Sequence, residues 1–112
     1  MLSKKIVELL NDQVNKEFYS AYLYLDMANY YKDEGLNGFF NWYKIQAQEE
    51  RDHAVLFMDY LQQNGEAVVL EAIDKPDKNF KEFIDPLNEG AKHERYVTGL
   101  IHNIYAAAYE EK

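Results

Sequence analysis

Apolar residues recur at helical spacing along most of the chain, in three stretches separated by glycine or by a proline-containing link. The first stretch predicts a helix over about residues 3–34, with Ser3 as N-cap and Gly35 as the stop. Its inner face reads in heptads: Leu10, Glu17, Tyr24 and Tyr31 on one row, Val14, Ala21 and Ala28 on the other. Glu17 therefore stands in a row that is otherwise apolar or aromatic. The second stretch predicts a helix over about 37–64, bounded by Gly38 and Asn64-Gly65 and free of proline. Phe39, Tyr43, Ala47, Ala54, Phe57 and Leu61 share one of its faces, with Glu50 and His53 side by side in the middle of it.

Residues of about 65–79 read differently. VVLEAI followed by DKPDK has no helical period, and a lone strand would have nothing to pair with. An extended crossover fits, because at ~3.3 Å per residue it reaches on the order of 40 Å, the length of the preceding helix. The third helix, over about 80–111, then runs parallel to the second. Its start is open between Asn79 with Glu82, a capping-box pattern, and Asp85 followed by Pro86. Leu87, Ala91, Glu94, Thr98, Ile101, Tyr105 and Ala108 form the stripe expected to face inward. His93 and His102 fall off that stripe and are expected at the surface or flank. Residues 1–112 thus read as one all-α domain.

The short Gly35-Leu36-Asn37 link makes the first two helices antiparallel neighbours, which sets Glu17 level with roughly position 54 and within a turn of Glu50 and His53. Glu94 lies near mid-height of the third helix. An unpaired buried carboxylate costs several kcal/mol or gives up its charge, and clustered carboxylates repel one another as well. Taken singly, each of these residues has an ordinary explanation, such as a hydrogen-bonded core carboxylate. Four of them at one height on three inward stripes point to a bound cation, and E-x-x-H lets two ligands reach one metal from a single helix. Oxygen-rich ligation with one imidazole suits iron or manganese, and a bridging carboxylate favours two metals. Glu50 is placed to bridge, Glu17 and His53 complete the first position, and Glu94 begins the second. Tyr24, one heptad after Glu17, is expected beside the pair as a hydrogen-bond or one-electron donor.

Composition narrows the field. The net charge of −8 argues against nucleic acid and anionic membrane as partners. The absence of cysteine excludes disulfides and thiolate metal sites and is compatible with a reducing compartment. No run approaches the ~18–20 apolar residues of a membrane span, and MLSKKIVELL reads as amphipathic helix rather than a signal peptide, so a cytoplasmic location is expected. Ten tyrosines are many for this length and suit half-buried positions.

NDQVNKEFYSAYLYL around Glu17 and Tyr24, WYKIQAQEERDHA around Glu50 and His53, the LEAI crossover and KHE ending in Glu94 together resemble the non-haem bacterial ferritins. The resemblance runs over the whole chain. It implies a ferritin-like four-helix bundle with a long crossover, of which only the first three helices are present here. It also implies a di-iron ferroxidase centre, with Tyr24 and Glu50 in the reaction, Fe(II) and O2 or H2O2 as reactants, and ferric mineral stored in a homo-oligomeric, 24-subunit shell. Family precedent adds Glu49 as a third, transit iron position. Haem is not expected, because bacterioferritin places its haem-ligating methionine where Arg51 stands. Rubrerythrin would require cysteine-ligated iron. Three helices patterned for a four-helix bundle leave an apolar groove open, which a helix from elsewhere, or a second copy, is expected to cover. The alternative is a helical assembly module without catalysis.

Overall fold

Ser3 starts the first helix by accepting a hydrogen bond from the Ile6 amide at 3.2 Å. In the computed structural model, which describes residues 2–111, three helices follow in order: α1 (Lys4–Asp33), α2 (Asn37–Gln63) and α3 (Ile84–Glu110). Residues 1 and 112 of the expected domain lie outside the described residues. No strand occurs among those described.

The first two helices end alike. Gly35 and Gly65 each take φ +74°, a conformation that costs glycine nothing. At each end the glycine amide donates to the carbonyl three residues back and the next amide to the carbonyl five residues back: Gly35 to Lys32 and Leu36 to Tyr31, then Gly65 to Gln62 and Glu66 to Leu61. These paired bonds satisfy the last carbonyls and turn the chain sharply. The third helix begins at Ile84, later than the expected start near residue 80. Asp85 accepts hydrogen bonds from the Lys81 and Glu82 amides at 2.9 Å and so holds a turn ahead of the helix. Of the two start signals, the Asp85-Pro86 pair is nearer the observed boundary.

The expected heptad rows of α1 are buried throughout, from Leu10 to Tyr31 and from Val14 to Ala28. Against them lie Tyr43, Ala47, Glu50, Ala54 and Leu61 of α2. Two apolar clusters result. One, around Tyr24, Met27, Tyr31 and Tyr43, sits at the α1–α2 turn, and the other, around Ile6, Leu10, Val14, Leu61 and Ala107, at the far end. Glu17 and Glu50 fall in the gap between them.

Asn11 and Asn15 hold the crossover. Asn11 donates to the Ala67 carbonyl and accepts from the Val69 amide, and Asn15 donates to the Val69 carbonyl and accepts from the Glu71 amide, all at 2.8–3.1 Å. Two side chains one helical turn apart thus read an extended backbone at every second residue, as a neighbouring strand would. This supplies the partner that the crossover sequence lacks.

Its return places α3 antiparallel to α1, and hence parallel to α2 as expected: the Tyr31 hydroxyl donates to the Phe83 carbonyl at 2.7 Å, while Ala107 packs with Ile6 and Leu10. Tyr31 is fully buried, and Tyr30, Phe39, Tyr43 and Phe83 surround its ring. Tyr31→Phe keeps the ring but strands the carbonyl, so urea denaturation should show a loss of about 1–2 kcal/mol.

The inward stripe expected for α3 is corrected. The buried residues are Pro86, Gly90, His93, Val97 and Ala107. The stripe from Leu87 to Ala108 lies about one residue around the helix, and Ile101 and Tyr105 on it are exposed. α3 rests on α1 through a narrow, mostly small-residue face, and its broader apolar stripe looks into a groove beside α2. A matching stripe on α2, including Phe39, Trp42, Leu56 and Tyr60, is also exposed. Phe39 and His53 were expected to be buried, but they stand on the open side instead. His93 was expected at the surface; it is buried, whereas His102 is exposed.

Candidate metal centre

Glu17 is held inward by its heptad row and is 1% exposed. Gln13, one turn earlier, donates to Glu17 Oε1 at 2.9 Å. Glu17 Oε2 is equally buried and has no hydrogen-bond partner among the described residues. A native core seldom leaves a carboxylate oxygen in that state unless something else occupies its lone pairs. Glu50 reaches it from α2. His53, one turn on, brings Nδ1 to 3.6 Å from Glu50 and 4.0 Å from Glu17. One ligand atom from each of the three lies within 4.8 Å of the others, a spread that a single cation can span.

Glu94 approaches the cluster from α3. The Tyr24 hydroxyl donates to Glu94 Oε1 in a short bond, so the phenol and the carboxylate stand together at the edge of the cluster. Glu94 is exposed, as is Glu49. Both line one cavity of about 370 Å³ with Glu50, His53, Tyr24, Trp42, Tyr43, Gln46, Gly90 and Ala91. α3 passes near α2 at Gly90, where an added Cβ would stand 3.4 Å from the Tyr43 hydroxyl. Glu17 is shut off from solvent, but the His53 side chain is about half exposed, because no described element covers the groove between α2 and α3.

Charge agrees with geometry. Burial, followed by the adjacent Glu17 carboxylate and the charges of Glu94 and Glu49, pushes the Glu50 carboxyl up to about 9. At neutral pH, without a cation, Glu50 keeps a proton. Burial and Glu94 hold the Tyr24 phenol above its usual range, so it remains a donor. The same residues with a divalent cation need no shared proton.

Of the six residues singled out from the sequence, Tyr24, Glu49, Glu50, His53 and Glu94 line this pocket, while Glu17 is not among its walls and meets it through the cluster it forms with Glu50 and His53. Gln13, Trp42 and Gln46 were not among the six. Gln13 could have been found from its position one turn before Glu17 on a buried face, whereas nothing local marks Gln46.

A three-helix array with carboxylates and an imidazole converging between apolar clusters defines an all-α, ferritin-like bundle. A family model described as "Ferritin-like domain" matches residues 7–112, and the chain belongs to that family. It is 38% identical over all 112 residues to a bacterial non-heme ferritin of Staphylococcus haemolyticus, covering 68% of that protein. Against the bacterial non-heme ferritin of Campylobacter jejuni it is 38% identical over 104 residues, covering 93% of this chain and 62% of that one. An open-pore ferritin of the archaeon Archaeoglobus fulgidus superposes with a TM-score of 0.95 at 40% identity, over 99% of this chain and 68% of that one. The Chlorobium tepidum ferritin gives 0.95 at 32% identity. The chain thus spans about two thirds of the length of the relatives it matches. No helix among the described residues is long and apolar enough to cross a membrane.

Proposed function

We propose that this chain oxidises Fe(II) at a dinuclear carboxylate–histidine site and serves iron storage, with iron as substrate and cargo rather than as a resident cofactor. The observation that carries this reading is the orphaned, buried Glu17 oxygen facing Glu50 and His53. In the proposal Glu17 and His53 hold one Fe(II), Glu50 spans to a second, and Glu94 meets the second from α3. Glu49, on the rim, is a transit position. Two Fe(II) supply two electrons, which reduce O2 to H2O2 with two protons, or H2O2 to water; Tyr24 stands close enough to hydrogen-bond or to give one further electron. The similarity to bacterial non-heme ferritins supports the ferritin role, and the absence of cysteine suits a reducing, cytoplasmic compartment. A homo-oligomeric shell, of 24 subunits on family precedent, would keep the mineral enclosed.

Anaerobic Fe(II) titration tests the site. Two Fe(II) per assembled chain are expected, oxidised on admitting O2 far faster than in buffer. No uptake above background would leave only a helical assembly module. The raised Glu50 carboxyl adds a sign: the metal-free site holds a proton that a cation displaces, so uptake releases protons and tightens from pH 6 to pH 8, by at most about tenfold per pH unit. A dye in weak buffer reads the release, and Glu50→Gln should remove it.

A further inference from the structure

Ser20 is 1% exposed and His93 9%, and the iron chemistry proposed above uses neither. Ser20 Oγ lies 2.6 Å from His93 Nε2, tying α1 to α3. Ser20 Oγ also lies 3.0 Å from the Lys16 carbonyl, one turn back, so its single proton can serve that carbonyl or an unprotonated His93 Nε2, and the Ser20–His93 contact is a hydrogen bond in either case. Tyr24 meets that ring edge-on at 6.0 Å, and Tyr19 and Tyr96 flank it.

The bond sits where register matters. On α1, Ser20 lies between Glu17 and Tyr24 on the same buried face; on α3, His93 immediately precedes Glu94. The other buried residues of α3, namely Pro86, Gly90, Val97 and Ala107, make small, non-directional contacts. A slide of α3 by one residue, ~1.5 Å, would cost those contacts little yet carry Glu94 out of ligand distance. The other two bonds from α1 would not prevent it: Tyr31 holds the Phe83 carbonyl, ahead of the helix and eleven residues from Glu94, and Tyr24 holds Glu94 itself, whose exposed side chain can follow the phenol. We propose that Ser20 and His93 are positioning residues: their hydrogen bond pins α3 in the one register that presents Glu94 to the second metal. This rests on the dinuclear reading.

Co(II) alone, followed by its visible absorption, tests the pin in the assembled protein. Wild type should bind Co(II) in two classes, and Glu94→Ala should remove the weaker; a wild-type titration with a single class sinks the dinuclear reading before any variant is made. Given two classes, Ser20→Ala should weaken the second about tenfold and leave the first within twofold, at unchanged helix content. His93→Leu should do the same. His93→Gln, whose amide can donate from near the Nε2 position, should recover most of the loss, which a merely space-filling role would not give. A Ser20→Ala protein that binds its second Co(II) as tightly as wild type, or that weakens both classes alike, overturns the pin.

Discussion

On the dinuclear reading, replacing Glu50 with alanine should cut Fe(II) oxidation roughly 100-fold or more, to the rate of iron in protein-free buffer, because both metal positions would lose the carboxylate they share. Stopped-flow absorbance of ferric product at fixed O2 reads this directly. The same substitution should not weaken the metal-free fold. Glu50 lies among Glu17, Glu94 and Glu49, and burial raises its pKa well above that of a free carboxylate. A group whose folded pKa lies above its unfolded value contributes stability that is complete below about pH 4.5 and drains away as pH rises toward about 9. Removing one buried acid from such a set is often neutral or stabilising. Activity and stability therefore part company in this variant: oxidation falls while the pH 8 denaturation midpoint holds or rises. Retained oxidation would refute the bridging role, whereas lost oxidation with a collapsed midpoint would show that Glu50 is needed for folding.

The second large effect concerns the open groove. Trp42, Leu56 and Tyr60 on α2 and Ile101 and Tyr105 on α3 are all 41% exposed or more, on facing heptad stripes. Burying such a surface is worth about 2.5 kcal/mol for each 100 Å² of apolar area, so the surface should not stay wet. Native mass measurement of the 112-residue polypeptide alone should give a species heavier than 13.2 kDa. Leu56→Glu with Ile101→Glu, which places charge on both walls, should return it to monomer mass. A compact, monodisperse monomer of the unaltered polypeptide would rule out the covered groove. The proposed centre would be affected too: His53 and Glu94 border the uncovered side, so a helix filling the groove would also exclude water from the site.

Much of this architecture could be read from spacing. Rows such as Leu10, Glu17, Tyr24 and Tyr31 are strict enough that a carboxylate among them stands out, and a short glycine turn fixes which residues of α2 lie opposite. That is why Glu17, Glu50 and His53 could be brought together without coordinates. The face of α3 could not be, for a physical reason. Its most apolar stripe belongs to the groove, while the face that packs on α1 is built from Gly90, Val97 and Ala107, whose hydrophobicity is weak, and from His93, whose burial depends on a serine 73 positions away. Periodicity finds the stripe with the largest side chains, not the one with the closest approach. The boundary at Ile84 was hidden in the same way, since Asp85 caps a turn rather than the helix itself.

The hold that Asn11 and Asn15 keep on the crossover separates what evolution can vary there from what it cannot. Both side chains grip main-chain groups of residues 67, 69 and 71, so the identities of Ala67, Val69 and Glu71 are free to drift without loosening the strap. Its length has no such freedom. One residue added or deleted within that run exchanges the gripped groups for those pointing the opposite way, and α3 would arrive at α1 out of step with Ser20 and Tyr24.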